Sequence, residues 1–325
     1  MSANASQTAK DIDVLCVGMV VYDVMAKPVD EIPDWGRLVT LKQVEHHVGG
    51  CAVNTAVDLV RLAGGRMNVT IGGCVGRDGA ARFVKTRLAE LGLDVTAVAE
   101  TGRAGTSYTF VMIGTDGRRR YFHHVGANAF FSDADVADGY LERARFLHFG
   151  GAFLMPGMDG HPCATLLRRA KQHGVVTFMD TAFNPDADGR SLIEPCAEYL
   201  DVFIPSIEEA ELITGKRAPE DVLAALLEFD IPVTGIKLGE EGCIIRADGE
   251  TRRYPAYPVE VVDSSGAGDA FMAGFIYGTG RDWPADRRAR FANAVAAHCI
   301  GAVGCNTGIP SAEDVLKFMD AARTP

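Results

Sequence analysis

A glycine turn between an apolar segment and an apolar helix pattern constrains this chain more than any other feature. The turn reads Asp263-Ser264-Ser265-Gly266-Ala267-Gly268-Asp269. Valines dominate residues 259–262 before it, and small apolar residues fill 270–277 after it, so the pattern predicts an extended strand, a turn and a buried helix. The amides of the two glycines and the alanine between them are free to converge on one point. There the helix dipole favours an anion.

A carboxylate beside an anion site repels the anion unless it takes part in the chemistry. Asp269 would take part as a base that removes a proton from a hydroxyl group. Meanwhile the amides of Gly266, Ala267 and Gly268 would hold the phosphoryl group under attack. The alternative is a plain turn in which Asp269 interacts only with the helix dipole. The length of the string and its place between strand and helix favour a phosphotransferase.

The string resembles the C-terminal signature of the PfkB (ribokinase-like) carbohydrate kinases, Asp-Thr-x-Gly-Ala-Gly-Asp, with Ser264 in place of the threonine. A second stretch, Gly49-Gly50-Cys51-Ala52-Val53-Asn54-Thr55-Ala56, resembles the N-terminal signature of the same family. Shorter matches lie at Gly73–Asp78 and Gly126–Asn128. Two separated signatures in the right order argue against a chance match.

Strand and helix patterns alternate through the second half of the chain. Helix patterns at 160–173 and 219–228 each precede a short apolar strand pattern, which predicts βαβ units and a mostly parallel sheet. A different pattern, a hairpin of 106–113 and 119–125, has its turn at Asp116-Gly117. We expect this hairpin to form a small antiparallel lid together with 36–48.

The resemblance covers nearly the whole chain, from about residue 14 to residue 315. It implies an α/β protein with a three-layer α/β/α ribokinase-like fold, a mostly parallel central sheet and a small β-sheet lid. We expect one kinase domain over 11–318, with the lid formed by about 20–48 and 105–126. Residues 1–10 are polar and are expected to be a disordered tail.

The resemblance also implies the residues that bind the acceptor. Asp23 follows the first predicted strand, where open α/β sheets place ligands. Read alone it is a turn-capping aspartate, but relatives use an aspartate here to bind sugar hydroxyls. Gly49, Gly50 and Asn54 take the sugar-contacting positions of the N-terminal signature, and Asn128 lies in a loop that the family places near the sugar.

The resemblance implies ATP and Mg²⁺ as cofactors. Glu209 is the candidate Mg²⁺ ligand, acting mostly through water. It belongs to a motif resembling the family's Asn-x-x-Glu, in which Ser206 replaces the asparagine that would contact phosphate. Elements that resemble the family's adenine site supply further nucleotide-binding candidates: Lys237, Gly239, Gly242 and Asn293.

A monovalent cation, K⁺ in many relatives, is a further expectation from the resemblance. Its candidate ligands are Asp263 and Ser265, together with carbonyl groups of the 301–308 loop. Nearby, Arg118-Arg119-Arg120 would suit an acidic or phosphorylated acceptor. Arginines at a turn are more commonly exposed to solvent, and we expect these three to be exposed.

Composition excludes some partners. The formal net charge of −11 argues against a nucleic-acid partner held by a basic face. The apolar run at 14–21 is too short to span a membrane, and the first residues lack a signal-peptide core. Eight cysteines without a Cys-x-x-Cys spacing favour buried thiols in a reducing compartment, so we expect a cytoplasmic protein.

The expected activity is transfer of the γ-phosphate of ATP to a hydroxymethyl group of a sugar or sugar derivative. The sequence contains no P-loop motif and no protein-kinase motif. A nucleoside kinase with an aromatic stacking surface near Asp23, or a catalytically silent sugar-binding protein, are the alternatives. The identity of the sugar stays open. Exposed lid strands also predict a homodimer formed through the lid.

Overall fold

The computed structural model describes residues 10–322, so the predicted tail at 1–10 lies outside the described residues except for Lys10. The strands within the described residues are β1 (Ile12–Gly18), β2 (Val21–Lys27), β3 (Gln43–Gly49), β4 (Val69–Val75), β5 (Asp94–Glu100), β6 (Tyr108–Ile113), β7 (Arg119–His124), β8 (Ala144–Ala152), β9 (Val176–Thr181), β10 (Val202–Phe203), β11 (Val233–Lys237), β12 (Cys243–Ala247) and β13 (Glu250–Tyr254). The α-helices within the same residues are α1 (Cys51–Leu62), α2 (Gly79–Glu90), α3 (Asp138–Arg143), α4 (His161–Gln172), α5 (Gly189–Ala197), α6 (Ile207–Thr214), α7 (Pro219–Leu226), α8 (Ala267–Thr279), α9 (Ala285–Ile300) and α10 (Ala312–Ala321).

A large sheet runs through the centre of the molecule, in the order β13-β12-β11-β10-β9-β8-β1-β4-β5. Its strands pair in parallel from β11 to β5, and β12 and β13 add an antiparallel edge. Helices α1, α2 and α8–α10 cover one face, and α3–α7 cover the other, with an apolar cluster between each helix layer and the sheet. This burial on both faces explains the nearly continuous apolar strands. The three-layer α/β/α prediction is confirmed.

A separate sheet, here called the small sheet, has the order β3-β2-β6-β7. The predicted hairpin is present as the antiparallel pair β6–β7, while β2 pairs antiparallel with β3 and in parallel with β6. Asp23 is paired with Thr109, and Thr109 with His123, so these three side chains lie on one face of the sheet. Arg119 lies on the same face, because it is four residues from His123 on β7 and side chains alternate along a strand. Opening and closing of the small sheet as a lid stays a prediction.

The strand predicted immediately before the glycine turn is wrong. Residues 255–266 contain no strand in the structure, and the side chains of Val261 and Val262 are 62% and 53% exposed. The amides of Val262 and Asp263 donate to the carbonyl of Ile300 at the end of α9, at 2.8 and 3.1 Å. The backbone at Val262 and Asp263 is therefore hydrogen-bonded to the carboxyl end of α9. Val259 and Val261 form one wall of a cavity. An apolar wall and a buried strand require the same residue types.

No helix within residues 10–322 combines the length and the apolar character needed to cross a membrane.

Candidate active site

The glycine turn leads directly into the amino terminus of α8. Gly266 is the N-cap residue, with a φ of 79°. A Cβ at Gly266 would lie 2.7 Å from the Cβ of Cys305, so the turn packs directly on that residue. A Cβ at Gly268 would meet only the amino group of Lys237, at 3.1 Å. The amide end of α8 therefore faces a cleft with a lysine beside it, which suits an anion.

Asp269 lies in the first turn of α8 and is buried. Its Oδ2 accepts a hydrogen bond of 2.8 Å from Asn54 Nδ2 on α1. Burial raises the pKa of Asp269 to about 6, although the hydrogen bond from Asn54 and the charge of Lys237 both favour the ionised form. Asn54 Oδ1 is buried and has no hydrogen-bond partner among the described residues. The predicted base and a predicted sugar-binding residue thus meet at one point.

Lys237 lies among the carboxylates of Asp180, Glu209 and Asp269. We had expected it at the other end of the cleft, beside the nucleotide base. Its Nζ pairs with Asp180 Oδ1 at 2.8 Å, and both side chains are nearly buried. Burial raises the pKa of Asp180 to about 7, and the charge of Lys237 opposes that rise. Lys237 therefore provides the positive charge at the end of the cleft that contains Asp269.

Glu209 is buried at the start of α6. Its Oε2 accepts hydrogen bonds from Thr181 Oγ1 at 2.7 Å and from the amide of Ser206 at 2.9 Å. Ser206 Oγ in turn accepts the amide of Glu209 at 3.3 Å, completing a capping box. Ser206 thus fixes the carboxylate that was predicted to serve Mg²⁺.

Two adjoining cavities form the cleft. The first, of about 380 Å³, contains the glycine turn, Asp269, Lys237, Asp180 and Glu209. The second, of about 470 Å³, is mainly apolar, with the valine wall on one side. They share five lining residues: Gly239, Ser264, Ala267, Asn293 and Ala296. A charged compartment beside an apolar one fits a ligand with an anionic and an aromatic end.

Of the residues predicted for the nucleotide base, Gly239 and Asn293 lie at the junction of these cavities, and Gly242 lines the first. Asn293 Nδ2 donates to the carbonyls of Tyr254 and Pro255, at 3.0 and 3.1 Å. Gly242 has a φ of 88°, and a Cβ there would lie 2.0 Å from the Tyr254 carbonyl oxygen. Both residues therefore hold the 254–255 backbone beside the cleft, and Gly239 lines both cavities.

Asp23 lies on β2, partly buried. A Cβ at Gly49 would lie 2.0 Å from Asp23 Oδ2, so only glycine permits the carboxylate to sit there. Burial raises the pKa of Asp23 to about 6, against the opposing effects of Thr109 and His47. Gly50 is the N-cap of α1, with a φ of 98°. The predicted acceptor residues therefore converge where the small sheet meets α1.

Asn128 is fully buried and does not line either cavity. Its Oδ1 accepts the Val20 amide at 3.3 Å, and its Nδ2 donates to the Val20 carbonyl at 3.2 Å. Asn128 thus holds the link between β1 and β2. A direct sugar contact by Asn128 stays a prediction.

Asp263 and Ser265, the residues proposed for a monovalent cation, contact an arginine instead. Arg119 of the small sheet forms an ion pair with Asp263, and its Nη1 lies 3.2 Å from Ser265 Oγ. The expectation that the 118–120 arginines are all exposed is wrong for Arg119, whose side chain is 11% exposed. A strand turns successive side chains to opposite faces, and this one faces the glycine turn.

Asp180 and Cys51 are among the residues of the charged cavity that were not predicted. Asp180 is the next-to-last residue of the parallel strand β9, a position that could have identified it because ligands bind at that edge. Cys51 lines the same cavity as Asp269. Burial raises the pKa of Cys51 well above its usual range, so the thiol stays protonated and can donate. No sequence signal separates this cysteine from a packing residue.

This three-layer fold, with a glycine turn at a helix amino terminus, is a ribokinase-like architecture. The profile described as "pfkB family carbohydrate kinase" matches residues 11–312. The chain therefore belongs to the pfkB family of carbohydrate kinases, and it is an ATP-dependent phosphotransferase.

Characterised relatives differ in acceptor. The chain is 25% identical over 332 residues to a 5-dehydro-2-deoxygluconokinase of Geobacillus kaustophilus, covering 97% of this chain and 95% of the relative. It is 27% identical over 313 residues to a nucleoside kinase of Methanothermobacter thermautotrophicus, covering 96% and 97%. A putative ribokinase II from E. coli, solved in complex with ATP and Mg²⁺, matches with a TM-score of 0.80 at 22% identity, covering 95% of this chain and 99% of that one.

Proposed function

We propose that this protein transfers the γ-phosphate of ATP to a hydroxymethyl group of a sugar or sugar derivative, with Asp269 as the base. The observation that carries the proposal is the contact between Asn54 and Asp269, which joins the acceptor residues to the glycine turn. The base and the anion-binding amides thereby share one end of the cleft. In-line transfer needs this proximity.

The two compartments of the cleft suit the two ends of ATP. The apolar cavity would take the adenine beside Gly239 and Asn293, and the charged cavity would take the phosphates beside Lys237. The amides of Gly266, Ala267 and Gly268 would then stabilise charge that develops on the transferred group. One such donor typically contributes about 10²–10³ in rate.

The residues present fit Mg²⁺. No cluster of three His, Cys, Asp or Glu side chains able to hold a metal exists among residues 10–322, so the protein offers no complete metal cage. Mg²⁺ at kinase sites is bound by one or two carboxylates together with water and substrate phosphates. Glu209, held by Thr181 and Ser206, is the carboxylate we assign to it. When bound, Mg²⁺ neutralises phosphate charge.

The acceptor would bind between Asp23, Gly49 and Asn54. Asp23 would accept hydrogen bonds from hydroxyl groups of the sugar, and the unpaired Oδ1 of Asn54 is a further buried hydrogen-bond acceptor. An unpaired buried oxygen costs free energy, which an acceptor hydroxyl would recover by donating to it. This arrangement favours a polyhydroxylated acceptor.

The experiment is a screen for acceptor-dependent ADP release. Pentoses, ketoses, sugar acids, sugar phosphates and nucleosides are each tested with MgATP, and product phosphorylation is verified by mass spectrometry. We expect one sugar class to give turnover. Preferential phosphorylation of nucleosides would support the nucleoside kinase alternative instead, and ATP binding without turnover on any acceptor would support a silent binding protein.

The pH dependence of kcat/KM is expected to show an acidic limb with a pKa of about 6. Asp269 must be ionised to remove a proton, and burial raises its pKa to about 6, so activity falls as the pH drops below that value. Initial rates from pH 5 to 8 measure the limb. Asp23→Asn should lower kcat/KM but retain the limb. Loss of the limb in that variant would assign it to Asp23 instead.

A homodimer formed through the small sheet is a second prediction. Val44, Tyr108 and Phe122 leave about half of their side chains exposed on this sheet, and unpaired strand edges favour pairing. Sedimentation equilibrium should give twice the chain mass at micromolar concentration, and Phe122→Asp should weaken association. Phe183→Asp, at an equally exposed ring outside the small sheet, is the control. A wild-type monomer would contradict the prediction of a homodimer.

A cytoplasmic location stays a prediction from the sequence.

A further inference from the structure

Arg119, whose side chain is 11% exposed, joins the small sheet to the glycine turn. It begins β7, and it forms an ion pair with Asp263, 144 residues later in the chain. The side chain of Asp263 is 4% exposed. An ion pair this buried is costly unless both partners are fully hydrogen-bonded.

Asp263 meets that condition. Its Oδ1 accepts the amide of Ser265 at 3.0 Å, and its Oδ2 accepts the amide of Gly304 at 2.6 Å as well as the guanidinium of Arg119. Arg119 also donates to Ser265 Oγ at 3.2 Å. The guanidinium therefore binds the side chains of Asp263 and Ser265, two of the residues at which the family resemblance places a monovalent cation. A cation at these side-chain oxygens does not fit while Arg119 is present.

The ion pair acts directly on the segment that binds phosphate. Asp263 is three residues before Gly266, and Gly266 packs on Cys305, the neighbour of Gly304. One guanidinium therefore links β7, the glycine turn and the 304–305 backbone. Because Arg119 is carried by the small sheet, this link requires that sheet to lie against the glycine turn.

We propose that Arg119 replaces the monovalent cation in this kinase, positioning the glycine turn when the small sheet closes. Arg119 is a positioning residue, since it contacts Asp263 and Ser265 rather than the reacting groups. The inference rests on the proposed function of the turn. It makes phosphoryl transfer independent of K⁺ and couples it to closure.

The kinetic test compares wild type, Arg119→Ala and Arg120→Ala in KCl and in choline chloride of equal ionic strength. Arg120 is the matched control because it lies on the same strand, faces the opposite side and is exposed. Wild type and Arg120→Ala should give the same kcat in both salts. Arg119→Ala should lose about 10²-fold in kcat in choline chloride, as expected for a misplaced catalytic segment.

Rescue separates positioning from general damage. Removing the guanidinium opens the oxygens of Asp263 and Ser265, so KCl or guanidinium chloride should recover at least part of the kcat of Arg119→Ala. Arg119→Lys should retain more activity than Arg119→Ala. The proposal is overturned if K⁺ stimulates the wild type several-fold, or if Arg119→Ala matches Arg120→Ala in every salt.

A second readout needs no acceptor. Amide hydrogen exchange should accelerate at residues 263–268 and in β7 of Arg119→Ala, relative to wild type and Arg120→Ala. If no acceptor is phosphorylated by the wild type, the proposed function fails, yet the exchange comparison still tests the link. Unchanged exchange at 263–268 in Arg119→Ala overturns the inference even if the wild type is an active sugar kinase.

Discussion

Replacing Asp269 by asparagine is expected to lower kcat about 10³-fold, within the usual contribution of a positioned general base. Asparagine cannot remove the acceptor proton, but its side-chain oxygen can still accept the hydrogen bond from Asn54. The fold and the affinity for ATP should therefore be unchanged. Initial rates with the acceptor identified by the screen measure the loss, and calorimetric ATP titration checks binding.

Thermal unfolding provides the control for this variant. Burial and the neighbouring charge of Glu209 both disfavour the ionised carboxylate of Asp269, so Asp269→Asn should melt at the same temperature as wild type or higher. Active sites commonly contain groups, such as this buried carboxylate, that lower the stability of the fold. Glu211→Gln, which removes a carboxylate outside both cavities, should keep wild-type turnover. Wild-type turnover in Asp269→Asn would refute the assignment of the base.

The architecture was predictable because each segment's pattern carries its own structural preference. Apolar runs of strand length, separated by helix patterns, require a parallel sheet covered on both faces, and that sheet is present. The helix predicted after the glycine turn from the 270–277 pattern is present as α8, which begins at Ala267. The strand predicted before the turn is wrong because Val259 and Val261 line a cavity instead. Residue type alone cannot tell an apolar ligand wall from a sheet interior.

The side-chain pairs of the site were not predictable, because each joins distant segments. Lys237 and Asp180 are 57 residues apart, and Arg119 and Asp263 are 144 apart. A strand pattern predicts that neighbouring arginines face opposite sides, but not which side meets the glycine turn. The resemblance brought Asn54 and Asp269 to the same site, yet their direct hydrogen bond needed coordinates.

Replacing Gly266 by alanine is expected to lower kcat about 10²–10³-fold, the effect of losing an oxyanion donor. The φ of 79° is a left-handed conformation that costs a non-glycine residue about 1–2 kcal/mol. The new methyl group would also lie 2.7 Å from Cys305 Cβ and 2.8 Å from its carbonyl oxygen. Relief of that clash must shift the turn, and the amides then no longer converge on the phosphoryl group. Steady-state kinetics and thermal unfolding measure the two effects.

Two alanine variants separate the clash from the backbone strain. Gly64 also has a left-handed φ, of 57°, but a Cβ there meets nothing within 4 Å. Gly64→Ala should therefore lose stability by about 1 kcal/mol without losing turnover. Gly268→Ala adds a methyl group that meets only the flexible end of Lys237, so its kcat should fall less than that of Gly266→Ala. Equal losses of kcat in Gly266→Ala, Gly268→Ala and Gly64→Ala would mean that turnover falls only because stability falls. The amides of the glycine turn would then have no special part in holding the transferred phosphate.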